Sequence, residues 1–379
     1  MVHPYELMDT PAFVLDEIAL RKNLQLIDRV QKEAGIEIIL AFKGFSMWSA
    51  FPIVKEYIKG ATASSLNEAI LCYEEMGAKA HTYAPVFIPS EFDRIMEISS
   101  HITFNSIQQF QQYKEKVKNH PSNISCGIRV NPEWSDVKTE LYNPASPFSR
   151  LGELAENFNG ELPEGIEGLH FHVLCESNSF ALEQVLGNLE KRFGDFLYKI
   201  KWLNMGGGHL MTKAGYNVDH LIQVLKKFKQ KYKLDIILEP GSAFAWETGD
   251  LVTRVLDIVE HRGKTTVIID ASFTAHMPDT LEMPYLPTIE GARVALENEN
   301  GYRIGGTSCL AGDFVGEYCF DKDPVIGDLM VFKDMIHYTM VKTTTFNGVK
   351  HPDICIKRKD GTIEIVKSFG YLDFKNRLS

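Results

Sequence analysis

The sequence predicts an α/β protein: a (β/α)8 TIM-type barrel followed by a β-rich C-terminal domain that also takes up the N-terminal strand. Three observations predict it. Between about residues 20 and 250, short apolar runs alternate with helix-like segments. Reactive residue types recur at the ends of those runs, and after 250 helical periodicity gives way to strand-like runs between turn signals.

The apolar runs cover 37–42, 61–64, 82–85, 101–105, 125–130, 168–173, 201–205 and 235–239, eight in all. Eight strand-then-helix units in about 230 residues fit a barrel better than a doubly wound sheet, which usually has fewer strands. Between them, Ser65 with Glu68 reads as a capping box; Leu66, Ala69, Ile70, Tyr73 and Met76 share a helix face, and Gly77 stops it. Further helices are expected near 178–192 and 217–231. "TTVIIDASF", "DLMVFKDM" and "GTIEIVKSF" then read as strands, and the early "TPAFVLDE" is strand-like too. The expected division is a barrel over 20–250 and a β domain made of 1–19 and 251–379.

The chain has 379 residues, 44% hydrophobic and 24% charged, enough for a large core. Its opening has no basic n-region or apolar h-region, and no window offers about 18 consecutive apolar residues. A cytoplasmic location without membrane insertion is therefore expected. The six cysteines stand singly, without the paired spacing of a zinc site or the density of a disulfide scaffold. Forty basic against fifty acidic side chains give a net charge of -10, which disfavours nucleic acid and mildly favours small cations.

In a (β/α)8 barrel, reactive groups sit at the C-terminal ends of the strands. Here those ends carry Lys43, Ser64, Asn105, Arg129, His172, Gly206, Gly207, Gly208 and Glu239. A lysine just past a strand is ordinarily a solvated loop residue. At a barrel mouth, however, a partly desolvated amine has a lowered pKa and attacks aldehydes, which is the use Lys43 would serve. "LNMGGGHL" after the seventh run, and Gly241 with Ser242 in "ILEPGSAF" after the eighth, stand where barrels often bind phosphate. Three glycines let backbone N–H groups approach an anion, with a following helix N-terminus adding to the attraction; the alternative is a tight strand-to-helix turn. Glu239 ends a strand that should be buried and needs a partner, either a structural Arg or Lys or the protonated nitrogen of a pyridine ring. His172 shares a strand face with His170, as a core residue or a metal ligand would, although no carboxylate partner for a metal is evident and none is assigned. An aldehyde-reactive lysine, a phosphate loop and a buried carboxylate together specify pyridoxal 5'-phosphate.

With "AFKG", "FHV", "GGG" and "EPG" in this order, the chain resembles the alanine-racemase-like, fold type III pyridoxal phosphate decarboxylases, from "TPAFVLDE" to "FGYLDF". Within them it is most similar to the branch acting on carboxynorspermidine and carboxyspermidine. The resemblance implies that Lys43 carries the cofactor, His172 stacks on its ring, and Arg129 in "GIRVNP" lies near the ring hydroxyl. The glycines, Gly241 and Ser242 would take the phosphate, with Tyr338 in "MIHYTMVKTTTFNG" reaching it too. "GGTSCLAGD" resembles the motif these homodimers insert into the neighbouring subunit's site. Cys309 would then return a proton to Cα, and Asp313 would hold the distal amine. Taken alone, Cys309 could be a buried thiol, Asp313 a turn residue and Tyr338 a core aromatic.

Ser242 stands where diaminopimelate and ornithine decarboxylases carry Arg after "EPG", which argues against a substrate with a distal carboxylate. "VIIDASFTAHMPDTLEMPYLP" places Asp270, His276, Asp279 and Glu282 where the family lines its substrate pocket, and acidic groups there would pair with a cationic tail. A solvated loop is the alternative for Asp279 and Glu282. The implied function is pyridoxal phosphate-dependent decarboxylation of a carboxy-polyamine in a homodimer. The alternatives are decarboxylation of another basic amino acid or of diaminopimelate and, outside catalysis, a pyridoxal phosphate carrier.

Overall fold

The computed structural model describes residues 3–138 and 143–379. It divides into two compact units, Arg21–Phe244 and Met1–Leu20 with Ala245–Ser379. Among the described residues no helix is long and apolar enough to cross a membrane.

The first unit is a parallel sheet of nine short strands that closes on itself. Glu37–Ile38 pairs with the last strand, Asp235–Leu238, while Leu40–Ala41 pairs with Ala61–Ala63. These two pieces are halves of one bent first strand: Ile39 N–H donates to Leu238 O at 2.9 Å, and Leu40 N–H to Gly60 O at 3.1 Å on the other side. Counting the halves once leaves the eight staves expected of the barrel. The remaining strands, Ala80–Tyr83, Ser99–Phe104, Ser125–Arg129, Ile166–His170 and Trp202–Asn204, follow in chain order around it.

The helix after the second strand departs from expectation. Leu66–Leu71 is α-helical, but Cys72–Met76 widens into a π turn before Gly77 closes it at φ 70°. The extra residue rotates the buried face, so Ala69, Cys72 and Met76 go inward and Tyr73 is exposed. The cap is also shifted. Ser65 Oγ accepts from Glu68 N–H at 3.2 Å, but the Glu68 carboxylate accepts from Ser64 N–H (2.6 Å), one residue earlier than a capping box would have it. Ser179–Leu197 and Val218–Tyr232 begin under the side chains of Asn178 and Asn217, which accept from the first free N–H groups.

The lower barrel is filled by Trp202, packed with Ile39 and Ile237. Its indole reaches across the next strand to the one beyond and needs glycine on both: a Cβ on Gly168 or Gly127 would lie 2.1 or 2.3 Å from the ring. Its Nε1–H donates to Ser125 Oγ at 2.8 Å.

The second unit is a nine-stranded mixed sheet. Its N-terminal strand, Ala12–Asp16, runs antiparallel to the long strand Gly249–His261 and parallel to Asp353–Lys357, so the chain's beginning is built into a sheet made mostly by its end. Val14, Val252, Val331 and Cys355 form the core beneath that junction.

Gly168→Ala drives a methyl group into Trp202 and is expected to destabilise the protein by about 1–3 kcal/mol. Gly187→Ala, inside helix Ser179–Leu197 with open space at its Cβ, is expected to stabilise it by about 0.5–1 kcal/mol. Denaturation midpoints moving in opposite directions would bear this out.

Candidate active site

Beyond Ala41 the first strand ends in a turn, where Gly44 and Phe45 both donate N–H to Ala41 O, at 3.0 and 3.2 Å. This turn lifts Lys43 to the barrel mouth. It also lies against the turn after the last strand, since a Cβ on Gly44 would stand 2.8 Å from Gly241 Cα. Only two glycines allow the chain ends of the first and eighth strands to meet backbone to backbone.

Lys43 Nζ lies 3.2 Å from His172 Nε2, and His172 Nδ1 accepts a hydrogen bond from Gly207 N–H at 2.8 Å. With Nδ1 occupied as an acceptor, the neutral ring carries its proton on Nε2 and points it at the lysine. An ammonium could not accept that proton, whereas a neutral amine can. The electrostatics agree: burial, with the charges of Lys43 and Arg129 adding, pushes His172 well below its ordinary range. Part of the Lys43 side chain is open to solvent. Its amine nevertheless sits deep enough among protein atoms that burial, and then the Arg129 charge, push it below the usual lysine value.

The glycine run is dictated by close approach. A Cβ on Gly206, Gly207 or Gly208 would fall 2.3, 2.4 or 2.1 Å from the carbonyl oxygens of Phe171, Glu239 and Leu174. Gly206 N–H donates to Asn204 Oδ1 at 2.9 Å and Gly207 N–H to His172, so two of the three donors serve the protein itself. The expected helix does not follow at once, because residues 209–217 intervene before Val218. The turn signal was legible; the loop behind it was not.

Glu239 is 8% exposed. Burial alone would push its carboxyl up, but contact with His170 and donation from Asn204 Nδ2 to Oε1 at 2.6 Å outweigh it and hold the group at about 2. His170 Nε2 lies 3.4 Å from Oε2, an ion-pair distance longer than a good hydrogen bond. Arg129 is buried, donates to His172 O at 2.8 Å and lies over the Tyr83 ring, 4.9 Å from its centroid. Asn204, Tyr83 and Glu68 belong to this mouth although no motif marks them as site residues. The only signal for Asn204 was its place two residues before the glycines.

Lys43, Arg129, His172, the three glycines, Glu239, Gly241 and Ser242 thus gather at the strand ends of one unit. The expected substrate-binding residues, Cys309 and Tyr338 belong to the other unit, where most are engaged by groups of that unit. Asp270 accepts from Thr10 Oγ1 and from Arg254 N–H (2.9 Å). His276 is buried, with Nδ1 accepting from Ser272 N–H at 3.1 Å. Asp279 Oδ2 accepts from Tyr285 OH and Thr339 Oγ1, at 2.8 and 2.7 Å, and its Oδ1 is buried without a hydrogen-bond partner among the described residues. Glu282 pairs with Lys342. Asp313 is buried and organises the loop around Cys309, accepting from Thr274 N–H at 3.0 Å and Ser308 N–H at 2.9 Å. Cys309 is exposed, its own N–H held by Asn347 Oδ1 at 2.7 Å. Tyr338 sits at φ 48°, an uncommon conformation for a residue with a side chain.

The mouth fits pyridoxal phosphate on its own chemistry: an amine shifted toward its nucleophilic form, a buried ionised carboxylate, and backbone that a Cβ would block. The model of the pyridoxal-dependent decarboxylase C-terminal sheet domain matches residues 12–336. The chain is 50% identical over 372 residues to carboxyaminopropylagmatine decarboxylase of Synechocystis sp., covering 98% of this chain and 96% of that protein. It is 44% identical over 384 residues to carboxynorspermidine/carboxyspermidine decarboxylase of Campylobacter jejuni, covering 98% and 99%. The crystal structure of carboxynorspermidine decarboxylase complexed with norspermidine, also from Campylobacter jejuni, superposes with a TM-score of 0.90 at 42% identity, over 98% of this chain and 100% of that one. With barrel, sheet and full-length similarity in agreement, this chain belongs to the pyridoxal-dependent decarboxylases and is an enzyme whose cofactor is pyridoxal 5'-phosphate.

Proposed function

We propose that the chain decarboxylates carboxynorspermidine and carboxyspermidine to norspermidine and spermidine in polyamine biosynthesis, in the cytoplasm, as a homodimer. The observation that carries this is full-length similarity to a relative named for those two substrates. Ser242 after "EPG", in place of an arginine suited to a distal carboxylate, adds to it.

In this reading the barrel unit holds the cofactor. Lys43 would take the aldehyde carbon, Glu239 the pyridine nitrogen, Arg129 the neighbourhood of the ring hydroxyl, and His172 one face of the ring. Gly241, Ser242 and the glycine loop would cradle the phosphate with Tyr338; Gly206 and Gly207 shape that loop and Gly208 offers its backbone. Bound there, pyridoxal phosphate would supply the electron sink for the pair left at Cα when the carboxylate departs as CO2. Glu239, held toward its ionised form by His170 and Asn204, would face the pyridine nitrogen as an anion. The partner subunit's Cys309 hands its thiol proton to Cα, and Asp313 and Asn347 fix the loop that presents it. By the family resemblance, Asp270, His276, Asp279, Glu282 and Asp313 would take the cationic tail. The Glu282–Lys342 pair is exposed, and such pairs are worth about 0–1 kcal/mol, so an incoming ammonium can replace the lysine there.

A second reading comes from the relative that is 50% identical and named for carboxyaminopropylagmatine. That substrate ends in a guanidinium, which asks for planar, two-pronged acceptors where an ammonium needs only a compact acidic site.

Lys43→Ala should abolish both the visible absorbance of the bound cofactor and turnover, read by spectroscopy and CO2 release. Cys309→Ala should slow product formation by about 10²–10⁴-fold; a parental rate with the normal product would remove the thiol from the mechanism. Steady-state kinetics on the three carboxy-polyamines and diaminopimelate test the substrate. At least one of the first two should exceed diaminopimelate in kcat/KM by about 10²-fold or more, the consequence of placing a distal carboxylate against acidic groups. Preference for carboxyaminopropylagmatine would favour the second reading.

A further inference from the structure

Two residues before His172, at the end of strand Ile166–His170, lies an imidazole with little company. His170 is 2% exposed, and neither ring nitrogen has a hydrogen-bond partner among the described residues. A buried donor left unmet costs about 1–3 kcal/mol, so such a group asks for a use. The polar atom facing it is Glu239 Oε2, 3.4 Å from Nε2. Its other surroundings are aromatic and cationic: the Tyr83 ring lies 5.3 Å away, tilted by 34°, with the Arg129 guanidinium on Tyr83 in turn.

The charged, titratable and hydrogen-bonding groups around this pair come from six other strands or their ends, His101 of the fourth among them. The others are Lys43 from the first, His81 and Tyr83 from the third, Arg129 from the fifth, Asn204 from the seventh and Glu239 itself from the eighth. Burial pushes His170 below its ordinary value, with the charges of Arg129 and Lys43 adding, while Glu239 pulls the other way. The ring is therefore a neutral donor. Asn204 holds Glu239 Oε1, leaving Oε2 to be shared between His170 and whatever binds above; a carboxylate has acceptor sites enough for both.

We propose that His170 is a positioning residue for the cofactor ring: closing the 3.4 Å separation to donate from Nε2 to Glu239 Oε2 when the cofactor is bound, it keeps the proton shared between Glu239 and the pyridine on the nitrogen. The physical step is simple. A carboxylate that already accepts a hydrogen bond at each oxygen is a weaker base, so a proton between it and a pyridine goes to the pyridine. With His170 gone, Glu239 keeps one donor in a low-dielectric site, its basicity rises, and the proton moves toward the carboxylate. The ring then loses the positive charge that makes it an electron sink. This rests on the reading of Glu239 as the ring nitrogen's partner.

The test uses holoenzyme loaded with pyridoxal phosphate labelled with 15N in its ring, whose chemical shift reports protonation directly. The parental enzyme is expected to show a protonated nitrogen at neutral pH. In His170→Leu the signal should move to the unprotonated position, and kcat should fall by about 10-fold or more with KM little changed. His170→Asn, which is polar but too short to reach Oε2, is expected to do the same and serves if the leucine variant does not fold. His170→Gln places an amide N–H near the Nε2 position and should restore the protonated signal. An unchanged ring-nitrogen shift in both the leucine and asparagine variants, or failure of glutamine to restore it, overturns the proposal. Glu239→Gln separates the two levels: if it too leaves the shift unchanged, the assignment of Glu239 is wrong, whereas a shift in Glu239→Gln alone removes only His170.

Discussion

The chemistry of the barrel mouth depends on backbone meeting backbone. Gly44 touches Gly241, and Gly206, Gly207 and Gly208 each press against a carbonyl where a side chain could not fit. These contacts draw the ends of the first, sixth, seventh and eighth strands inward, so that groups from separate strands fall within reach of one another. Gly207 shows the economy of the arrangement: the close approach that forbids it a Cβ also brings its N–H to His172 Nδ1, which sets the tautomer facing Lys43.

On that scaffold the protein drives two ionisable groups in opposite senses. Lys43 meets burial and a neighbouring guanidinium, both of which favour the neutral amine. Glu239 is buried as well, yet its donors favour the anion strongly enough to reverse the effect. Environments that push an acid and a base apart mark a division of labour. Here a neutral amine suits attack on an aldehyde and a fixed anion suits a protonated ring. His172, held neutral between them, adds no charge that would disturb either.

The sequence carried the parts of this that are local. Strand ends, the lysine, the glycine run and the buried glutamate follow from a barrel's rule that reactive groups crown its strands, because each is visible within a few residues of an apolar run. Contacts between strands are not local, and those stayed hidden. Nothing near residue 170 says that its nearest acceptor is at 239, and nothing near 83 says that a guanidinium from 129 will cover its ring. The same holds for the acidic loop, where Thr10 bonds Asp270 across 260 residues and Thr339 bonds Asp279 across 60. Local patterns misled in two places. A helical face drawn through Tyr73 assumed regular α geometry where a π turn intervenes, and a helix was expected directly after the glycines because a three-glycine run looks like a phosphate turn.

The alternation of strand residues explains how one set of strands serves as both core and site. Side chains two apart share a face, and the sixth strand and its extension read Gly168, His170, His172 along the inward one. Gly168 makes room for Trp202, His170 faces Glu239, and His172 meets Lys43. The seventh strand repeats the sequence of tasks with Trp202, Asn204 and Gly206, and the eighth with Ile237, Glu239 and Gly241. Apolar packing at the bottom, a polar tier that sets protonation in the middle, and bare backbone with a nucleophile at the rim are thus written in steps of two. A polar middle tier is unusual in a barrel, where branched aliphatic residues dominate the filling. Its cost in unmet hydrogen bonds makes sense only if the tier acts on what binds above it, and the large indole below, locked between two glycines, supplies the packing that lets the strands carry that cost.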